Sequence, residues 1–302
     1  MPGSGPTVPG GRAVPLYFGK IGPALRRRTS SMTISGMRLK MSQREGETDY
    51  KYEDYAADMA YHRIPTTSDL VGRKMKVTLD DGKAFDLEFT GKNEVKWQSG
   101  SDGGTDWCEV IEVAPKTYYI DMTFANAPRE CRTFFINTQT RQTLSVHTNM
   151  REGEIVHEPR AVQTFVPGVL GDPSVPPTGF KPGPTTDLIG LRAIYTYNKN
   201  QTFEHIYLND KRYAWHCIVG PLRGESDVEL HTTYKFDIGQ YIFSWREFGL
   251  PVSTVFFHNW DQMKETGKFF AIGEDGAIAN TPAGAIIRKL SVTFYPDDAT
   301  PL

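Results

Sequence analysis

A chain of 302 residues with a formal net charge of −2 has room for one or two domains and leaves no electrostatic footprint for nucleic acid. No apolar run approaches the roughly 20 residues that a membrane helix needs, which points to a soluble protein. Cys108, Cys131 and Cys217 show no CxxC spacing, and the seven histidines show no HxH or HExxH spacing, so neither a disulfide framework nor a metal centre is expected.

The first 48 residues stand apart. They carry Arg12, Lys20, Arg26, Arg27, Arg28, Arg38, Lys40 and Arg44, with no acidic residue before Glu45. This is the composition of a disordered leader or an organelle transit peptide, unless translation begins at Met32 or Met41. Unpaired cysteines suit a reducing compartment, so a cytoplasmic location is expected, with organelle targeting through the basic leader as the alternative. Residues 50–63 lack strand alternation and read as a short helical lead-in.

Strand signals then dominate. Residues 74–79 and 84–89 flank Asp80-Asp81-Gly82, whose Asp-Gly pair supplies the positive φ of a hairpin turn. Short strands follow at 94–98, 108–113, 117–124, 132–137 and 143–148. The stretch 167–184, with Pro173, Pro176, Pro177, Pro182 and Pro184, reads as a semi-stiff linker unable to join a sheet. Beyond it the pattern resumes at 192–197, 202–208, 212–218, 231–236, 241–247, 254–259 and 266–272. Short strands at this spacing, with 12% aromatic residues, indicate an all-β chain of antiparallel barrels. The expected domains are an N-terminal barrel over 49–168, a Pro-rich linker over 169–184 and a C-terminal barrel over 185–302.

The two halves repeat one motif. Gly72 answers Gly190, Phe85 answers Phe203 and Trp97 answers Trp215; 190 minus 72, 203 minus 85 and 215 minus 97 are each 118. Phe134-Phe135 answers Phe256-Phe257 at 122. Duplication supplies an internal control. Where the second half has Tyr195, Tyr197, His205, Tyr207 and Glu247, the first has Val77, Leu79, Leu87, Phe89 and Ala125. An apolar face suits a filled barrel, which the first half then provides as a scaffold or dimerisation partner. Burying unpartnered hydroxyls and imidazoles costs about 1–3 kcal/mol each, so the second barrel is expected to be wet and ligand-holding.

Within that barrel the candidate catalytic residues are Tyr195, Tyr197, Arg223 and Glu247. Residues i and i+2 of a strand share a face, which aligns Tyr195 with Tyr197 and Glu247 with Phe243 and Trp245. A carboxylate among aromatics has its pKa raised and suits proton donation near neutrality. His205, Tyr207, Phe243 and Trp245 are candidate substrate-binding residues. His216 is expected to face outward, Trp97 and Trp215 to pack, and Glu225 and Asp227 to be solvated.

Leu188-Ile189-Gly190, Ile194-Tyr195-Thr196-Tyr197, Ile218-Val219-Gly220 leading to Arg223, and Phe243-Ser244-Trp245-Arg246-Glu247 resemble the phenolic acid decarboxylases. The resemblance implies a cofactor-free, lipocalin-like (calycin) barrel in which a Tyr-x-Tyr pair and an arginine orient the substrate and a glutamate donates a proton. The whole span from Asp69 to Phe294 is similar to the MoaF family, through Glu204-His205-Ile206-Tyr207-Leu208-Asn209-Asp210, Trp215-His216 and Gln163-Thr164-Phe165-Val166-Pro167-Gly168. That family name, molybdenum cofactor biosynthesis protein F, records a genetic association. The resemblances imply two tandem lipocalin-like barrels. They imply cofactor-free acid–base chemistry on a small aromatic or enolic substrate: decarboxylation, or proton-initiated cyclisation or isomerisation. The alternative is a non-catalytic carrier of a small molecule linked to molybdenum cofactor or amine metabolism. No metal, cofactor, nucleic acid or membrane is implied, and a homodimer is compatible with either reading.

Overall fold

The computed structural model describes residues 58–153, 155–273 and 276–301, and the basic leader lies outside them. Eight strands form the first unit: β1 Lys74–Leu79, β2 Ala84–Gly91, β3 Glu94–Ser99, β4 Asp102–Ala114, β5 Thr117–Phe124, β6 Ala127–Asn137, β7 Gln142–Met150 and β8 Ala161–Leu170. Each pairs antiparallel with the next, and β1 pairs with β8 to close a barrel. After the two-residue β9 (Gly183–Pro184), a second set follows: β10 Leu191–Asn198, β11 Gln201–Tyr207, β12 Arg212–Val219, β13 Ser226–Asp237, β14 Gln240–Arg246, β15 Val252–Asn259, β16 Lys264–Ile272 and β17 Ile278–Val292. The β10–β17 and β12–β13 pairings close this set in turn. The chain is therefore all-β, with two closed eight-stranded antiparallel barrels in tandem.

The repeat holds at the level of single hydrogen bonds. Val77 pairs with Phe85, and Tyr195 with Phe203. Gly72 N–H donates to Phe89 O at 2.7 Å, and Gly190 N–H to Tyr207 O at 2.8 Å. Both glycines hold positive φ, +79° and +82°, which L side chains rarely adopt. In the first barrel Val77, Leu79, Phe85, Leu87 and Phe89 are buried in one apolar cluster, as an all-hydrocarbon inward face requires.

Three sequence expectations are corrected. Residues 58–63 form turns, and among the described residues there is no helix. Their backbone groups bond to the second barrel instead: Asn198 Nδ2 donates to Asp58 O at 3.2 Å and Gly284 N–H to Met59 O at 2.9 Å. Gly284 is required there, since a Cβ would lie 2.5 Å from Arg63 Cα. The closing strands β8 and β17 add to the strands expected, and each contains a proline, Pro167 or Pro282. Pro167 lies next to the stretch of β8 that pairs with β1, and Pro282 lies four residues before the stretch of β17 that pairs with β10, so neither interrupts those ladders. The linker also joins the sheet. Pro184 pairs with Tyr234 at the edge of β13, and Thr185 N–H donates to Thr233 O at 3.2 Å. Residues 171–182 are tied down as well, by Arg141 to Leu170 O and Val175 O and by Gln142 to Thr178 O.

The outer faces of β4–β7 and β13–β15 meet in a buried apolar layer that includes Ile111, Tyr119, Phe135, Leu144, Phe236, Ile242 and Phe257. Beside it lies an ion pair between Lys268 on β16 and Asp121 on β5, both fully buried. Asp121 also accepts from Thr133 Oγ1 at 2.9 Å and Asn280 Nδ2 at 2.7 Å. Burial opposes the Lys268 ammonium, but the adjacent Asp121 outweighs it and the lysine pKa is raised. Removing one partner of such a pair strands a buried charge. Lys268→Ala is therefore expected to cost about 3–5 kcal/mol in denaturant unfolding, whereas the double change Asp121→Asn with Lys268→Met should cost much less. Equal losses would show that the pair is not what joins the barrels here.

Candidate functional site

The inward face of the second barrel is aromatic and polar. Alternation along β10 and β11 buries Tyr195, Tyr197, Phe203 and Tyr207 in one cluster with Tyr213 and Phe243, and the buried His205 ring packs on Tyr195 and Tyr213. The rings form a continuous file. Tyr195 stacks on His205 at 4.2 Å between centroids, His205 meets Tyr213 edge-on at 5.1 Å, Tyr213 reaches Trp245 at 6.5 Å, and Trp245 meets Phe269 at 5.9 Å.

Many of the buried polar groups bond one another, whereas His205 Nδ1 and His258 Nδ1 are buried without a partner. Tyr195 Oη and Tyr207 Oη are 2.8 Å apart. Tyr197 Oη donates to Glu265 Oε1 at 2.8 Å, and Glu265 Oε2 lies 2.7 Å from His258 Nε2. His231 bonds Thr233 Oγ1 at 3.0 Å and Asn209 O at 2.9 Å. Burial, reinforced by neighbouring Tyr207 and Glu265, holds the Tyr195 phenol well above its ordinary pKa. Burial, with His258 and His231 nearby, keeps the His205 imidazole neutral. Glu265 and His258 did not figure among the sequence candidates. Carrying the 122-residue offset past Phe257 reveals them, because their counterparts are Thr143 and Ile136.

Carboxylates gather where β14 ends. Across β13 and β14, Thr233 opposes Phe243, His231 opposes Trp245 and Leu230 opposes Arg246. One further step of this register sets Glu229 opposite Glu247. Glu229 is buried, and its Oε2 has no hydrogen-bond partner. Burial, then Glu247 and Asp227, push its pKa to about 8, against the pull of the Phe248 N–H and Arg212. Burial and Asp227 push Glu247 to about 7. Asp227 is exposed, as expected, yet its charge acts on both carboxyls. Trp215, Leu222, Trp245 and Leu250 pack against the core here while remaining partly exposed.

Strand pairing also corrects one correspondence. Ile120 pairs with Phe134 where Phe243 pairs with Phe256, so the counterpart of Glu247 is Phe124 and not Ala125. Of the candidate residues, Tyr195, Tyr197, His205, Tyr207 and Phe243 are inside the barrel. Trp245 is partly buried on the same core, and Glu247 follows it at the mouth. Arg223 lies exposed in the loop between β12 and β13, on the same rim as Glu247 because antiparallel connections alternate ends. It is not gathered with the tyrosines.

Fold and site together define a tandem-barrel protein with an apolar first interior and an aromatic, polar second one. Residues 48–152 match the MoaF N-terminal domain and residues 182–293 the MoaF C-terminal domain, and the chain belongs to the MoaF family. Protein MoaF of Klebsiella aerogenes is 41% identical over 118 residues, which cover 38% of this chain and 45% of that protein. The match thus spans less than half of that curated relative. The crystal structure of a "putative beta-lactamase" from Burkholderia vietnamiensis matches at 13% identity and a TM-score of 0.30, covering 36% of this chain and 100% of that one. That likeness is too slight to bear on fold or function.

The raised carboxyl pKa values set a pH dependence. Between the ordinary glutamate value of 4.5 and about 7 for Glu247 or about 8 for Glu229, the folded chain keeps protons that the unfolded chain has released. Their contribution to stability is therefore lost as pH rises through that window. Denaturant midpoints at pH 5.5 and pH 8.5 should differ more in the natural chain than in a Glu229→Gln/Glu247→Gln variant. An unchanged difference would show that these carboxyls titrate normally.

Proposed function

We propose that the C-terminal barrel is a cofactor-free acid–base enzyme acting on a small phenolic or enolic molecule, with Glu247 as the general acid. The observation that carries this reading is a carboxyl at an aromatic-walled barrel mouth with a pKa of about 7. A proton donor works best when its pKa lies near the working pH. The sister barrel has Phe124 at the equivalent position and no such group.

In this reading the partly exposed Trp245, Trp215 and Leu222 form the apolar wall against which the substrate ring packs, backed by the buried Phe243 and Tyr213. Arg223, on the rim, attracts an anionic substituent. Tyr195, Tyr197, His205 and Tyr207 form a rigid floor, because their hydroxyls and rings are committed to one another and to Glu265. A para-phenol conjugated to an alkene feeds electrons to the alkene carbon, which takes the proton of Glu247 as the phenol gives its own to solvent. The resulting quinone methide has two exits. If the side chain bears a carboxylate, the C–C bond breaks, CO2 leaves, and its electron pair restores the phenolate and the alkene. Otherwise a nucleophile adds, giving cyclisation or hydration, or loss of another proton gives isomerisation.

The test is incubation of the full chain with hydroxycinnamates and related phenols and enols, read by CO2 release and absorbance. Glu247→Gln should lower turnover by ~10²–10⁴, while Leu79→Met in the first barrel should leave it unchanged. Full activity in Glu247→Gln would overturn the mechanism. Tight binding with every ligand recovered intact would favour a carrier instead.

A further inference from the structure

We propose that Glu229 is a second proton-carrying group of this site, returning a proton to Glu247 after each turnover. The proposal rests on the acid–base reading above. It also stands on a comparison internal to the chain.

The first barrel has a carboxylate at the equivalent place. Val95 pairs with Asp106 where Tyr213 pairs with Glu229, so the two acids occupy the same position. Asp106 has an evident structural use. Its Oδ2 accepts from Trp97 Nε1 at 2.7 Å and its Oδ1 from the Ala125 amide at 2.9 Å. Phe124, an apolar side chain, stands opposite it by the same register.

In the second barrel one half of this arrangement is kept and the other is changed. The Phe248 amide, counterpart of Ala125, still draws the Glu229 carboxyl downward in pKa. The second oxygen, Oε2, is buried and has no partner, although Trp215 stands where Trp97 stands in the first barrel. Opposite it is Glu247 in place of phenylalanine. A capping carboxylate has become one member of an opposed pair.

The charged and titratable groups around the pair are few. Asp227 and His231 lie on the same strand as Glu229, and both nitrogens of His231 are committed to Thr233 and Asn209. Tyr213 faces Glu229 from β12, and Arg212 lies close enough to moderate its charge. The Arg212 guanidinium itself sits over the Phe248 ring at 4.7 Å. Two carboxylates in such surroundings do not both ionise readily at neutral pH. When Glu247 gives its proton to a substrate carbon, it becomes a carboxylate beside a protonated Glu229. The Glu229 proton then passes to a Glu247 oxygen, and Glu229 takes a replacement from solvent.

Glu229→Gln separates the two roles, because a glutamine carbonyl can still face the Phe248 amide but cannot carry the proton. The full chain, labelled with 13C at the glutamate side-chain carboxyl carbon, is titrated by NMR as the natural sequence and as the Glu229→Gln and Glu247→Gln variants. In Glu247→Gln the Glu229 resonance should titrate about one pH unit or more lower, because the like-charged neighbour that raises it is gone. A Glu229 titration unchanged by that replacement would make Glu229 a cap only and overturn the proposal, whatever the reaction proves to be. With a turned-over substrate, Glu229→Gln should keep the rate of the first turnover and lose tenfold or more in steady state. An equal loss in both phases would overturn the proton return.

Discussion

At the mouth of the C-terminal barrel, burial and neighbouring acidic charge hold the carboxyls of Glu229 and Glu247 above the ordinary glutamate range. The arrangement follows from register. Leu230 opposite Arg246 fixes the next inward positions, and one apolar-to-acidic difference from the sister barrel, Phe124 against Glu247, converts a capped turn into a titrating pair. Deeper in the barrel the same economy applies. Tyr195 with Tyr207, and Tyr197 with Glu265 and His258, satisfy one another in place of water.

The first barrel matters to this arrangement although its own interior is inert. Its outer face packs on β13, β14 and β15, and the Lys268–Asp121 pair ties it to β16. Those strands carry Glu229, Phe243, Trp245, His258 and Glu265 on their opposite face. Alternation along a strand therefore places docking residues and site residues back to back. Movement at the barrel–barrel interface would move the site.

Much of the architecture could be read from residues alone. The 118-residue offset survived as paired registers and paired glycine hydrogen bonds, and most strand cores fell where alternation placed them. The closing strands β8 and β17 were not among the strands read from alternation, and each carries a proline, Pro167 or Pro282, outside the stretch that pairs with the first strand of its barrel. Glu265 and His258 were within reach of the repeat comparison carried a few residues further. Glu229 was not, because its counterpart Asp106 is also acidic. The difference lies in what stands across the strand pair. Several of the polar groups for which a wet interior was expected find partners among themselves, Tyr197 through Glu265 and His258 on β16 and β15, while His205 Nδ1 and His258 Nδ1 have none.

The most direct measurement is a crystal structure of the full chain soaked with 4-hydroxycinnamate, a phenol of the class proposed. Ligand density against Trp245, with its side chain within hydrogen-bond reach of Glu247, is the expected result. Density confined to the first barrel or to an outer surface, with the Glu229–Glu247 mouth left open, would contradict it.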